Sequence, residues 1–341
     1  MTEVEVEVFE HCQLLKRSVI SNDPRFAVKV MRSLPATSNK MTMENLDNIV
    51  TALHVNFSDD QILPEVECYI NLLTLLFDMK RGQYDEDFAK ILCQKIAEHN
   101  RRSLDLVASY FYSYITMFYK GMDQLADIRG FLHARLKNAT LHKDFESQGV
   151  LINCLLRNYL YYNLYDLANK LVLKETFPEQ VSNSQWARYL YYLGRIKAIQ
   201  LHYSEAQKYL GQSLEKAPSS AIGFEHTVNK LSIIVQLLLG NIPERNLFSQ
   251  PASKEALASY FELTKAVHSG DVTKFEVVRA KYEDQFKADR TFTLILRLHH
   301  NVIKTAIRRI SLAYSRISFS DVAAKLNLES PKDAEYIIAK A

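Results

Sequence analysis

Apolar residues recur at helical spacing along most of this chain. Val228, Leu231, Val235 and Leu238 fall on one stripe that ends at Gly240, and Phe275, Val278, Tyr282 and Phe286 line a second helix after a turn at Gly270-Asp271. Between such stripes a turn followed by a helix start recurs four times, at Tyr84-Asp-Glu-Asp87, Asp123-Gln-Leu-Ala126, Tyr165-Asp-Leu-Ala168 and Tyr203-Ser-Glu-Ala206. The copies are spaced by 39, 42 and 38 residues. A period near 40 predicts stacked helical hairpins, each burying an apolar face against the next.

The clearest copy keeps much of the tetratricopeptide pattern: Leu193-Gly194, Ala206 twelve residues after the glycine, Leu210, and Pro218 closing the unit. Gly194 and Ala206 are small where two helices cross closely, and Tyr189, Leu193, Ile196 and Tyr209 fill the surrounding core. Leu190 and Lys197 replace the usual Trp and Tyr, so the repeats are degenerate. The preceding copy offers Leu155, Tyr159, Ala168 and Val172 at the corresponding offsets, and Ser204-Glu-Ala-Gln207 reads as a capping box.

The last segment changes rhythm. Phe319, Val322, Ala323 and Leu326 predict a short helix, residues 327–329 a turn, and Ser330-Pro-Lys-Asp333 the capped start of another helix with Ala334, Ile337, Ile338 and Ala341 on its apolar face. This is a helix-turn-helix, with Tyr314 to Ile317 as the short strand expected before it in a winged helix. The chain ends inside the second helix, before any wing, and reads as truncated there.

Composition narrows the function. Nine glycines and eight prolines in 341 residues are too few breakers for a many-stranded protein. A net charge of +3 creates no overall basic field for nucleic acid or membrane. Cys12, Cys68, Cys93 and Cys154 stand far apart, without metal-ligand or disulfide spacing, and read as buried thiols. No apolar run reaches the ~18 residues of a membrane span, and Glu alternates with Val at the start, so a soluble intracellular protein is expected.

Candidate chemistry is sparse. Phosphate-cradle, nucleophile-elbow and HExxH motifs are missing, and His299-His300 diverge on a helix, so no catalytic, cofactor or metal site is expected. The tyrosines of Tyr110-Phe-Tyr-Ser-Tyr114 and Tyr159-Leu-Tyr-Tyr162 read as packing between hairpins rather than a base-stacking platform. One local charge signal stands out: Arg290, Arg297, Lys304, Arg308, Arg309 and Arg316, with no acidic residue between Thr291 and Ser320. A solvated face, docking to an acidic protein and nucleic-acid backbone contact all fit it, and from it Arg297, Lys304, Arg308, Arg309 and Arg316 are taken as candidate partner-binding residues. The second helix of the helix-turn-helix sets Asp333 and Glu335 against Lys332 and Lys340, which argues against DNA readout.

Helical repeats followed by Ser311-Leu-Ala-Tyr-Ser-Arg-Ile-Ser318 and Val322-Ala-Ala-Lys-Leu326 resemble the PCI-domain family of the proteasome lid, the signalosome and a translation initiation factor. Asn100-Arg-Arg-Ser-Leu-Asp-Leu106, Asp127-Ile-Arg-Gly-Phe-Leu-His133, Val150 to Leu160, Trp186-Ala-Arg-Tyr-Leu-Tyr-Tyr192 and Arg297 to Ile310 are similar to the non-ATPase regulatory subunits of the proteasome lid. The resemblance implies a mainly α fold, a right-handed α-solenoid of TPR-like helical hairpins followed by a truncated winged-helix module. Its parts are an N-terminal solenoid over residues 1–180, the helical part of a PCI domain over 181–288 and its winged-helix part over 289–341. It further implies a non-catalytic scaffold without cofactor, cytoplasmic and nuclear, supporting lid assembly and ubiquitin-dependent degradation. Other PCI-domain lid subunits and a small acidic disordered subunit are the implied partners, with neither membrane nor nucleic acid. The rival expectation is a scaffold of another PCI complex, in translation initiation, the signalosome or mRNA export, with nucleic-acid contact.

Overall fold

The computed structural model describes residues 3–45, 48, 63–98, 101–251, 253–326 and 330–340. The expected turn at 327–329, and the expected contributions of Asn100 and Ala341, lie outside the described residues. The protein is mainly α, with no strand among the described residues, and it divides into two compact units between Gln185 and Trp186.

The first unit holds α1 (Glu3–Ser21), α2 (Pro24–Lys40), α3 (Pro64–Arg81), α4 (Glu86–Glu98), α5 (Arg102–Gly121), α6 (Arg129–His142), α7 (Phe145–Tyr161) and α8 (Tyr165–Lys174). The helices stack on one another, with α1 on α2, α3 on α5, α5 on α7, and α7 against both α6 and α8. Helix ends follow local chemistry: Asp23 and Asp144 accept from the amides of Arg25 and Ser147, and Gly82 ends α3 in the left-handed region. The buried face of α7 is broad because it packs on both sides; Leu151, Leu155, Leu156 and Leu160 are all fully enclosed. Gly149 is required there, since a Cβ at that position would lie 2.8 Å from Val181. The copy at Asp123 differs from expectation. Residues 122–128 form an extended turn, held by Tyr161 donating to Asp123 Oδ1 at 2.8 Å, and the helix starts only at Arg129.

The second unit takes in most of α9 (Asn183–Ile199), then α10 (Tyr203–Lys216), α11 (Ile222–Leu239), α12 (Arg245–Ser249), α13 (Ala258–Ser269), α14 (Val272–Lys281), α15 (Glu283–Ala288), α16 (Phe292–Ala313), α17 (Phe319–Leu326) and α18 (Pro331–Lys340). The α9–α10 crossing is as close as its small residues require: a Cβ on Gly194 would sit 2.9 Å from Leu210 Cγ, and Ala206 is fully buried. Lys197, which replaces an aromatic of the repeat pattern, instead pairs with Glu205 across the hairpin at 2.9 Å. Gly240 ends α11 at φ 87°, and Asp271 caps α14 by accepting from the Lys274 amide, as the stripes predict.

Three local expectations are corrected. Ser204 caps nothing, because α10 begins one residue earlier at Tyr203 and the capping position falls to His202, which makes no side-chain bond. The stripe Phe275 to Phe286 is two helices, broken at Tyr282 at φ −112° and ψ 20°. Tyr314 is extended, yet residues 314–317 form no strand, since no described segment offers them a hydrogen-bonding ladder. The helix-turn-helix pair is present: α17 packs on α18, and Ser330 Oγ accepts from the Lys332 amide at 3.2 Å. A cap not anticipated from the sequence is Ser318, which accepts from the Asp321 amide and donates to its carboxylate at 2.6 Å.

Candidate functional site

The basic stretch lies mainly on α16, whose 22 residues carry no acidic side chain. Leu294, Ile295, Leu298, Val302, Ile303 and Ala306 form its buried face, covered by α11, α13 and α14. The α13–α14 turn presses closely on this helix: a Cβ on Gly270 would lie 3.0 Å from the Ala306 amide nitrogen, and Gly270 itself sits at φ 62°. The entrance to α16 is tied down by a polar cluster. Lys230 donates to both Asp289 oxygens at 2.9 Å, and Tyr260 donates to the same carboxylate at 2.9 Å. Burial and this carboxylate push the Tyr260 hydroxyl far above its ordinary range.

The five candidate residues separate into two groups. Arg297 donates to the Ile199 carbonyl at 3.1 Å and Arg309 to the Ser269 carbonyl at 2.6 Å, the last residues of α9 and α13. Asn301, between them, donates to the carbonyls of Leu237 and Leu238 near the end of α11 at 3.1 and 2.9 Å. One row of α16 thus satisfies the carbonyl termini of three helices, where positive or donor groups also meet the negative ends of the helix dipoles. Lys304 is half-buried and Arg308 exposed, and neither makes a side-chain hydrogen bond or ion pair among the described residues. Arg316 lies past the helix in a shallow surface groove with Tyr314, Ile317, Ser318 and Lys325, where Lys325 Nζ sits 2.7 Å from the Tyr314 hydroxyl. The five do not converge on one point. The sequence marked them by charge alone, and the carbonyls that engage Arg297 and Arg309 belong to residues 98 and 40 positions away.

The other chemical candidates are structural. His299 lies tilted against Phe275 with ring centroids 6.1 Å apart, while His300 is exposed on a different face. No cluster of metal-ligating side chains occurs among the described residues. All four cysteines are buried thiols, with Cys154 donating to the Tyr112 carbonyl at 3.7 Å, and burial pushes the Cys12 thiol up to about 11 and those of Cys68 and Cys93 up to about 12. Phe111, Tyr112 and Tyr159 are core residues. Arg129 stacks between Tyr159 and Tyr162, at 5.4 and 5.5 Å, and Arg135 donates to the Tyr112 hydroxyl at 3.0 Å.

The first unit has a small polar cavity of about 170 Å³, lined by Arg101, Arg102, Asp105, Arg135, His142 and Asp144 among others. Burial and the neighbouring Asp144 raise the Asp105 carboxyl to about 6. Ser147 donates to the Asp105 carbonyl and Asp144 caps α7, so both serve the backbone rather than a nucleophile–base pair.

Comparison with known proteins decides the family. The model described as PSMD3-like, N-terminal TPR repeats, matches residues 54–264, and the PCI domain model matches residues 279–341. The chain is 47% identical to a probable 26S proteasome non-ATPase regulatory subunit 3 of Anopheles gambiae, over 98% of this chain and 74% of that protein. The chain belongs to the proteasome non-ATPase regulatory subunit 3 family. The Dictyostelium discoideum member is 38% identical over 96% of this chain and 73% of its own length. An Arabidopsis thaliana member, homolog A, is 48% identical over 81% of this chain and 57% of its own length. In this family frame, α16 and the α17–α18 pair fall in the PCI segment, and the hairpins from α3 to α12 in the repeat segment.

Proposed function

We propose that this chain is a non-catalytic structural subunit of the lid of the proteasome regulatory particle, supporting lid assembly and ubiquitin-dependent protein degradation in cytoplasm and nucleus. The observation that carries the reading is the 47% identity to a proteasome regulatory subunit, sustained over 98% of the chain and so through both units. Stacked hairpins support it physically, since repeat architectures present extended surfaces that distribute binding energy over many contacts. Its neighbours in this reading are other PCI-domain lid subunits and a small acidic disordered subunit.

The test is co-expression of the tagged full chain with the remaining lid subunits, followed by nuclease treatment, affinity purification and mass spectrometry. Stoichiometric recovery of lid subunits is the expected result. Recovery of initiation or export factors in their place would overturn the reading.

A further inference from the structure

Beside the row that caps three helix ends, α16 carries a second row at the same spacing: Leu296, His300, Lys304, Arg308 and Leu312. Leu296 is 44% exposed and Leu312 88% exposed, and His300 and Arg308 also face solvent. Residues four apart form the surface ridge that fits into the groove of another helix, and this one runs about 24 Å at 1.5 Å per residue. Its chemistry is patterned, with apolar ends and cations at the centre. No acidic residue on α16 neutralises Lys304 or Arg308, and neither has an ion pair among the described residues.

We infer that this outer row of α16 is a docking ridge for an acidic amphipathic helix of a neighbouring subunit. The inference rests on the assembly reading above and deepens it by naming the surface and the partner's chemistry. Carboxylates three or four residues apart on that helix meet Lys304 and Arg308, and apolar residues a turn beyond them on either side cover Leu296 and Leu312. Leucines at both ends favour protein over a phosphate backbone, which gains nothing from apolar flanks and binds by neutralising many phosphates. The ridge is also pre-organised. Arg297, Asn301 and Arg309 pin the adjacent row of the same helix to three helix ends, so docking orders little backbone.

The test is reconstitution of the full chain with the other lid subunits, comparing Lys304→Glu/Arg308→Glu and Leu312→Asp with Lys208→Glu, a charge reversal at an exposed site on α10. Both ridge variants are expected to enter the lid at least tenfold less than the control, with unchanged circular dichroism and melting temperature. Leu312 is so exposed that its substitution leaves folding intact. Zero-length carbodiimide cross-linking of the assembled lid is expected to join Lys304 to a carboxylate on a helix of another subunit. Equal incorporation of ridge variants and control would overturn the ridge alone, as would cross-links from Lys304 only to a second copy of this chain. Failure of the unaltered chain to enter the lid would overturn the assembly reading and this inference with it.

Discussion

Arg308 and Arg309 are neighbours in sequence and identical in chemistry, yet they sit on different sides of α16 and do different work. The inner row, Arg297, Asn301 and Arg309, reaches carbonyls at the ends of α9, α11 and α13. The outer row, with Lys304 and Arg308, reaches none among the described residues. A helix advances 100° per residue, so one step along the chain moves a side chain from the end of another helix to a face that offers it no hydrogen-bond partner among the described residues. The lesson is that a basic stretch is not one electrostatic object. Counting its charges overstates the surface available to a partner, because part of it already stabilises helix termini.

The sharpest way to break the comparison is Asn301→Leu. The Leu238 carbonyl loses its Asn301 donor and the Leu237 carbonyl keeps only the Gly240 amide, so the second unit should lose about 2 kcal/mol, read as a lowered urea midpoint. A midpoint unchanged from the parent would mean that water replaces Asn301 freely. Gly270→Ala should follow at about 1–2 kcal/mol, since it combines φ 62° with a Cβ position 3.0 Å from the Ala306 nitrogen and so pushes the turn off α16. Arg309→Ala, exposed but bonded at 2.6 Å, should cost about 1 kcal/mol, visible as a small drop in melting temperature. Arg308→Ala should change stability by less than about 0.5 kcal/mol. Equal melting shifts for the two adjacent arginines would erase the distinction between the rows.

Much of the scaffold was legible because it depends on local rules. Gly194 and Ala206 announced a close crossing, Gly240 a left-handed helix end, and Asp271 and Ser330 helix starts; each is decided within a few residues of backbone. Legibility failed where two local solutions were nearly equivalent. Ser204 matched a capping pattern, but the helix began one residue earlier, and a cap works only from outside the first turn. The stripe at Phe275 to Phe286 kept its apolar rhythm through the break at Tyr282, because Phe275 and Phe286 are both fully buried on either side of it. Residues 314–317 had strand-forming composition, but a strand exists only when another segment completes its hydrogen bonds.

The candidate surface shows the same division more strongly. Periodicity and charge in the sequence determined that the chain consists of helical hairpins and that it carries a basic stretch with no acidic residue between Thr291 and Ser320. Tertiary structure alone decided which cations remain available, because the carbonyls of Ile199 and Ser269 are distant in sequence from Arg297 and Arg309 and are brought near only by packing of the second unit. Local patterns encode which face of a helix is apolar, since that depends on spacing along one segment. They do not encode what its polar side meets, since that depends on where other segments end.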